Sequence, residues 1–227
     1  MNEHDLLQTG LTRDSAFSHH CQRCRRCCHA KRIQVNPYET ARMADNRRLS
    51  TSAFLRRFVS ADSPVLQQRE DGACIFLGQR GCLVHRDRPL VCRLYPLGRQ
   101  LDFSGEERFV RLRPEPGCRA MTGEPGTVAA ALEEQGVTPY FAFADHYIRI
   151  FLRLLPLLPC PAVSPDNRGQ TRSWAENRLV MDVDFALAYD GAIALQPLEA
   201  RVERHIAILD DWIDAGLPPV SGRGRTP

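Results

Sequence analysis

The stretch "HHCQRCRRCCHAKR", residues 19 to 32, places four cysteines within eight positions, two of them adjacent, among five arginines and lysines and three histidines. Thiols at this density serve disulfides, metal ligation or redox chemistry, and each makes a different demand on the rest of the chain. Cys21, Cys24 and Cys27 follow a C-x2-C-x2-C spacing. That spacing lets one turn-like loop aim successive thiolates at a common point, as in iron-sulfur clusters and, for any two of the three, in zinc sites. A fourth ligand must come from elsewhere. Cys28 complicates a single site, because adjacent side chains diverge, so one of Cys27 and Cys28 is expected to point away. Beyond the loop stand Cys74, Cys82, Cys92 and Cys118. Eight candidate thiols permit two four-thiolate sites, or one site plus spare thiols for redox work, and the count does not choose between them.

Disulfide scaffolding is disfavoured. The chain has nine cysteines, an odd number, and its N-terminus has no apolar run behind a basic head, so a cytoplasmic, reducing setting is expected. With 227 residues, 43% of them hydrophobic, it can bury a core without covalent staples. The longest uncharged apolar run, at 154–163, holds three prolines and is half the roughly 20 residues that span a bilayer. No membrane span is expected. Cys160, inside that run and far from the others, reads as incidental.

Residues 1–125 carry a net charge of +7 and residues 126–227 a net of −4. The composition shifts near Gly123 to Gly126. The reading is a cysteine-cluster metal-binding domain at 15–125 followed by a helical region at 126–227.

The expected fold class is α+β, mainly α, with short β hairpins around the metal. Asn36 and Pro37 open a helix through "PYETARMADNRR". Ser50 caps a second, with Phe54, Leu55 and Phe58 on one face and Arg56 and Arg57 opposite. "ACIFLGQRGCLVH" reads as two short strands around a Gly78 to Gly81 turn, bringing Cys74 and Cys82 together. Pro89 and Pro96 bound one helical turn holding Cys92, and Ser104-Gly105 turns a further hairpin. "TPYFAFADHYIRIFLRLLPLL" predicts a helix with a polar stripe of Asp145, Arg149 and Arg153, buried on its other sides. The last helix, Pro197 to Ala215, aligns Leu198, Val202, Ile206, Leu209 and Ile213 and stops at Gly216, with Pro218 beyond.

Around the loop, Arg23, Arg25, Arg26, Lys31 and Arg32 would offset thiolate charge, or grip phosphate. His19, His20, His29 and His85 lie near cysteines in sequence. Each reads first as a solvent-exposed or capping histidine, with His85 the one to inspect as a ligand. Nucleic-acid binding is disfavoured by a net charge of only +3 and by the absence of a stacking aromatic within 19–32. No Gly-rich phosphate loop, G-x-S-x-G or H-E-x-x-H marks an independent enzyme. Asp182 and Asp184 read as helix surface or cap.

"CQRCRRCC" followed by "CIFLGQRGCLVHRDRPLVCRLYP" resembles the signature of the YkgJ-type cysteine-cluster family, the CxxCxxCC zinc- or iron-chelating domain. The likeness runs over about residues 19 to 120. Arg25-Arg26 stand where the family often has a small residue, and His85 replaces a common tyrosine. The resemblance implies metal or iron-sulfur binding through Cys21, Cys24, Cys27, Cys28, Cys74, Cys82, Cys92 and Cys118. Arg88 and Arg93 are expected to donate hydrogen bonds to thiolate sulfur. The cofactor expected is an iron-sulfur cluster or iron in a redox or accessory role. The alternative is a structural zinc module whose C-terminal helices recruit a protein partner. No substrate is implied.

Overall fold

The computed structural model describes residues 6–102, 104–118, 126–154, 156, 180–191 and 197–216. Cys160 with most of its proline-rich run, Gly123 at the composition shift and Pro218 lie outside the described residues. The protein is mixed α and β and helix-dominant, with short hairpins early and more helices toward the C-terminus. The chain forms two compact units, each discontinuous in sequence: residues 1–35 with 65–142, and residues 36–64 with 143–227.

The first unit is built on a three-stranded antiparallel sheet ordered β1 (Leu6–Leu11), β5 (Glu107–Leu112), β4 (Leu97–Leu101). The hairpin from β4 to β5 turns where expected. There Asp102 Oδ1 accepts hydrogen bonds from the backbone N–H groups of Ser104 and Glu106, an Asx-type turn. Leu11, Leu97 and Phe109 from the sheet bury against Phe17, Val128, Leu132 and Phe141. This core includes α4 (Val128–Glu134) and the first turn of α5 (Thr138–Leu154). Segment 13–17 runs over the start of α4, where the carbonyls of Ser15 and Arg13 accept from the N–H groups of Val128 and Ala129. Thr127 Oγ1 caps Ala130 N, so three of the helix's four orphan donors are met.

Two smaller elements complete the unit. β2 (Leu77–Gly78) and β3 (Gly81–Cys82) form the short hairpin expected between Cys74 and Cys82, with Leu77 opposite Cys82. α3 (Leu90–Leu94), the single turn expected between two prolines, carries Cys92.

The second unit is helical: α1 (Pro37–Asn46), α2 (Thr51–Phe58), the rest of α5 from Phe143, α6 (Val183–Tyr189) and α7 (Leu198–Asp214). Asn36 and Glu39 form a reciprocal capping box on α1. Ser50 caps α2, which buries Phe54 and Leu55 and leaves Arg56 and Arg57 exposed. Tyr38 stacks on Phe143 at 4.3 Å between centroids.

Asp182 and Asp184 are cap residues here, as read. Asp182 caps α6 through Phe185 N and accepts from the Thr51 and Ser52 hydroxyls at 2.7 and 2.6 Å. Asp184 accepts from Thr51 N. The N-termini of α2 and α6 are thereby tied together.

Two helix expectations need correction. α5 is amphipathic rather than buried on most sides. It buries Phe143, Tyr147, Ile150 and Leu154 but leaves Ile148 and Leu152 50% and 60% exposed. On α7 the buried stripe is Val202, His205, Ile208 and Leu209, rotated away from Ile206 and Ile213. Steps of four from Leu198 through Val202 to Ile206 overshoot a 3.6-residue turn, whereas the packed face takes steps of three from Val202 through His205 to Ile208. Among the described residues no helix is long and apolar enough to cross a membrane.

Candidate metal centre

The cysteine loop is a strained piece of backbone. Arg23, Arg25 and Ala30 have φ of 50°, 69° and 52°, left-handed values that cost a non-glycine residue about 1 to 2 kcal/mol each. Such a shape persists only where its surroundings fix it. Cys28 carbonyl accepts from Cys74 N at 2.8 Å, Ala30 N donates to Gly72 O at 2.9 Å, and Arg25 Nη1 donates to Gln79 O at 2.9 Å. The loop is therefore stitched to the segment that carries Cys74 and Cys82.

A separate set of contacts delivers Cys118. Glu115 N donates to Tyr95 Oη at 2.7 Å, and the Glu115 carboxylate pairs with Lys31 at the end of the loop. Cys24 Sγ and Cys118 Sγ consequently lie 3.8 Å apart across 94 residues of chain. A tetrahedral ion with metal–sulfur bonds near 2.3 Å has an edge of about 3.8 Å, so this pair fits a shared ion.

All eight predicted cysteines are free thiols, Cys21 exposed and the others part-buried. Cys27 accepts a hydrogen bond from the Cys28 thiol, which brings Cys27 down to about 7 against the opposing effect of burial. The same bond, burial and the charges of Cys27, Cys92 and Cys82 push Cys28 up. The two adjacent cysteines thus interact with each other, while Cys28 also faces the charge of Cys82 and Cys92. Burial pushes Cys74 and Cys82 up as well. The backbone N–H groups of Phe76 and Val84, each two residues after its cysteine, oppose this by hydrogen-bonding to sulfur. Amide donors of this kind favour the thiolate form that binds metal. The donor chemistry fits a thiophilic metal. Among the described residues, however, no group of three or more His, Cys, Asp or Glu side chains is gathered closely enough to hold one ion.

Arg88 and Arg93 make their hydrogen bonds to oxygen and nitrogen. Arg88 Nη1 donates to His85 O at 2.7 Å, with His85 Nδ1 at 3.3 Å, and Nη2 donates to Gln135 Oε1. Arg93 donates to the carbonyls of Arg88, Gln135 and Arg86 and to Tyr140 Oη, and it lies over the Tyr140 ring at 4.2 Å. Burial and the charge of Arg93 lower the Arg88 pKa, while Cys21, Cys92 and Cys82 hold it up. Arg88 is therefore near enough to Cys21, Cys92 and Cys82 to respond to negative charge on their sulfurs. His85 stays neutral, its pKa lowered to about 4 by burial and by Arg88, Arg23 and Arg93.

Residues 20–115 match the family model described as "CxxCxxCC: Putative zinc- or iron-chelating domain". The chain carries a CxxCxxCC domain. An uncharacterized protein of Methanocaldococcus jannaschii is 29% identical over 91 residues, 38% of this chain and 49% of that protein. The chain thus spans about half the length of the curated relative it matches. No solved structure matches.

Within the CxxCxxCC domain fall seven of the eight cysteines, together with His85, Arg88 and Arg93. Cys118 stands just beyond the matched residues, and its contact with Cys24 joins it to them. Glu115 and Gln135 escaped the sequence reading. Their roles come from tertiary contacts with Tyr95 and Lys31 and with Arg88 and Arg93 respectively, and nothing in the local pattern marks them.

Proposed function

We propose that this chain binds iron through its eight cysteines, as an iron-sulfur cluster or thiolate-held iron, in a redox or accessory role within the cytoplasm. The observation that carries the reading is that a segment bearing free thiols is stitched to the cysteine loop and that Cys118 reaches the same loop, its Sγ 3.8 Å from that of Cys24. Amide donors to Cys74 and Cys82 support it, since they stabilise thiolate. On this reading the metal-carrying part is 15–125, and the metal draws the thiol pairs the remaining distance together. Arg88 balances thiolate charge from outside the ligand set, consistent with its coupling to Cys21, Cys92 and Cys82.

One observation favours a second reading, a structural zinc module. The 3.8 Å sulfur pair has the edge length of a single-ion tetrahedron. In that case the helical region at 126–227 recruits a protein partner.

The test is metal and acid-labile sulfide per chain, with an absorption spectrum, on protein purified without oxygen. Iron with matching sulfide supports a cluster, and iron without sulfide a thiolate-held ion. Zinc alone moves the conclusion to the structural reading. Metal-free protein in which all nine thiols titrate freely, from cells supplied with both metals, overturns both.

A further inference from the structure

Beside Cys21, within the first unit, lies a cavity of about 490 Å³, a size typical of small-molecule sites. Its walls differ from the usual apolar lining. Arg23, Arg86, Arg88 and Arg93 all line it, against one carboxylate, Glu134. That carboxylate is already engaged by His20 Nδ1 at 3.0 Å.

The two inner guanidiniums are oriented but not neutralised. Arg93 is held by three backbone carbonyls, a tyrosine hydroxyl and a ring face; Arg88 is held by His85 and Gln135. Every one of these acceptors is uncharged. Neutral acceptors fix a guanidinium's direction while leaving its charge for another partner, and fixed arginines favour carboxylate and phosphate oxygens. Arg23 and Arg86 are exposed and have no acidic partner among the described residues. His85 lines the same cavity. Since Arg88 can only donate, His85 Nδ1 accepts, and the proton sits on Nε2, which is buried without a partner among the described residues. The wall thus holds an unmet donor besides its cations.

We propose that this cavity binds a small oxyanion, the phosphate or carboxylate group of a substrate or effector, next to Cys21. The thiolates account for part of the inner charge, through Arg88. They do not account for Arg23 and Arg86 on the open side or for a cavity of this size. The proposal stands on the cavity's own residues and holds for any metal.

Calorimetric titration of the protein as isolated, metal included, with inorganic phosphate and separately with acetate tests it. Metal content is measured on every sample. Saturable binding at one site is expected for at least one of the two anions, and the tighter one names the ligand class. Arg23→Gln and Arg86→Gln alter exposed side chains. Each is expected to weaken binding about tenfold, the loss of one charge-assisted contact of about 1.4 kcal/mol, with metal content unchanged. Glu134→Gln removes the opposing carboxylate and should tighten binding. Absence of saturable binding, or affinities unaltered in all three variants, overturns the proposal. So does loss of metal in step with loss of anion affinity, which would assign these arginines to the thiolates. Metal content is scored separately, so failure here is distinguishable from failure of the metal reading.

Discussion

His205 is fully buried on α7, with Nδ1 2.9 Å from Tyr147 Oη and Nε2 without a partner among the described residues. Either neutral tautomer leaves Nε2 unsatisfied, and a charged ring would be worse, so burial holds its pKa down to about 3. An unfolded histidine titrates near 6.5. Between these values the unfolded chain binds a proton that the folded chain refuses. Stability therefore falls as pH drops from about 6.5 toward about 3, with a loss of about 2 kcal/mol at pH 5 relative to neutral pH. In His205→Gln, the difference in unfolding free energy between pH 7 and pH 5, measured by urea denaturation, should shrink by about that amount. Equal pH dependence in the two proteins would refute it. His205 was illegible in sequence because a polar residue inside an apolar register reads as surface until packing shows which face is covered. The loop of Cys21, Cys24, Cys27 and Cys28 was legible, since spacing alone marks a thiol-rich loop. The i+2 amide donors to Cys74 and Cys82 were not, since they depend on the local backbone path.

Among the elements, α1 and α2 were readable because their caps are local chemistry: Asn36, Pro37, Glu39 and Ser50 sit beside the groups they satisfy. The C-terminal end of α1 offers a test. Leu49 N donates to Ala44 O and Arg48 N to Asp45 O, a Schellman arrangement, and Arg48 occupies its left-handed position with φ 55°. Glycine lacks the Cβ penalty there, so Arg48→Gly is expected to raise the unfolding free energy by about 1 kcal/mol. Unchanged or lower stability on chemical denaturation would contradict this account. The start of α6 offers the converse. Asp182 serves as helix cap and as acceptor for two hydroxyls on α2. Asp182→Ala removes all three bonds and leaves buried Thr51 Oγ1 without its acceptor. A loss of about 2 to 4 kcal/mol is expected; a loss under about 0.5 kcal/mol would show the link to be incidental. The short hairpin of β2 and β3 was legible from its glycines, whereas the exposed side of α5 was not. Apolar periodicity reports which residues could be buried, not how much partner surface exists to cover them.

At the level of the whole molecule, the metal reading makes a regional prediction. Extraction of the metal from anaerobically purified protein should lower amide protection about tenfold or more in 19–32, 73–95 and 113–118. The helices of the second unit should keep theirs. Hydrogen exchange with mass spectrometry separates these regions, and uniform protection with and without metal would remove the metal's structural role. The sequence by itself determined the thiol content, the helix caps, the short hairpins and membership of residues 20–115 in a CxxCxxCC domain, because each rests on groups a few residues apart. Tertiary structure alone decided three things: that residues 36–64 pack with the C-terminal helices, that Cys118 meets Cys24, and that four arginines share one cavity with a single carboxylate. These juxtapositions join residues tens of positions apart, and chain closure over such distances is governed by which apolar faces find partners, a property of the assembled core rather than of any segment.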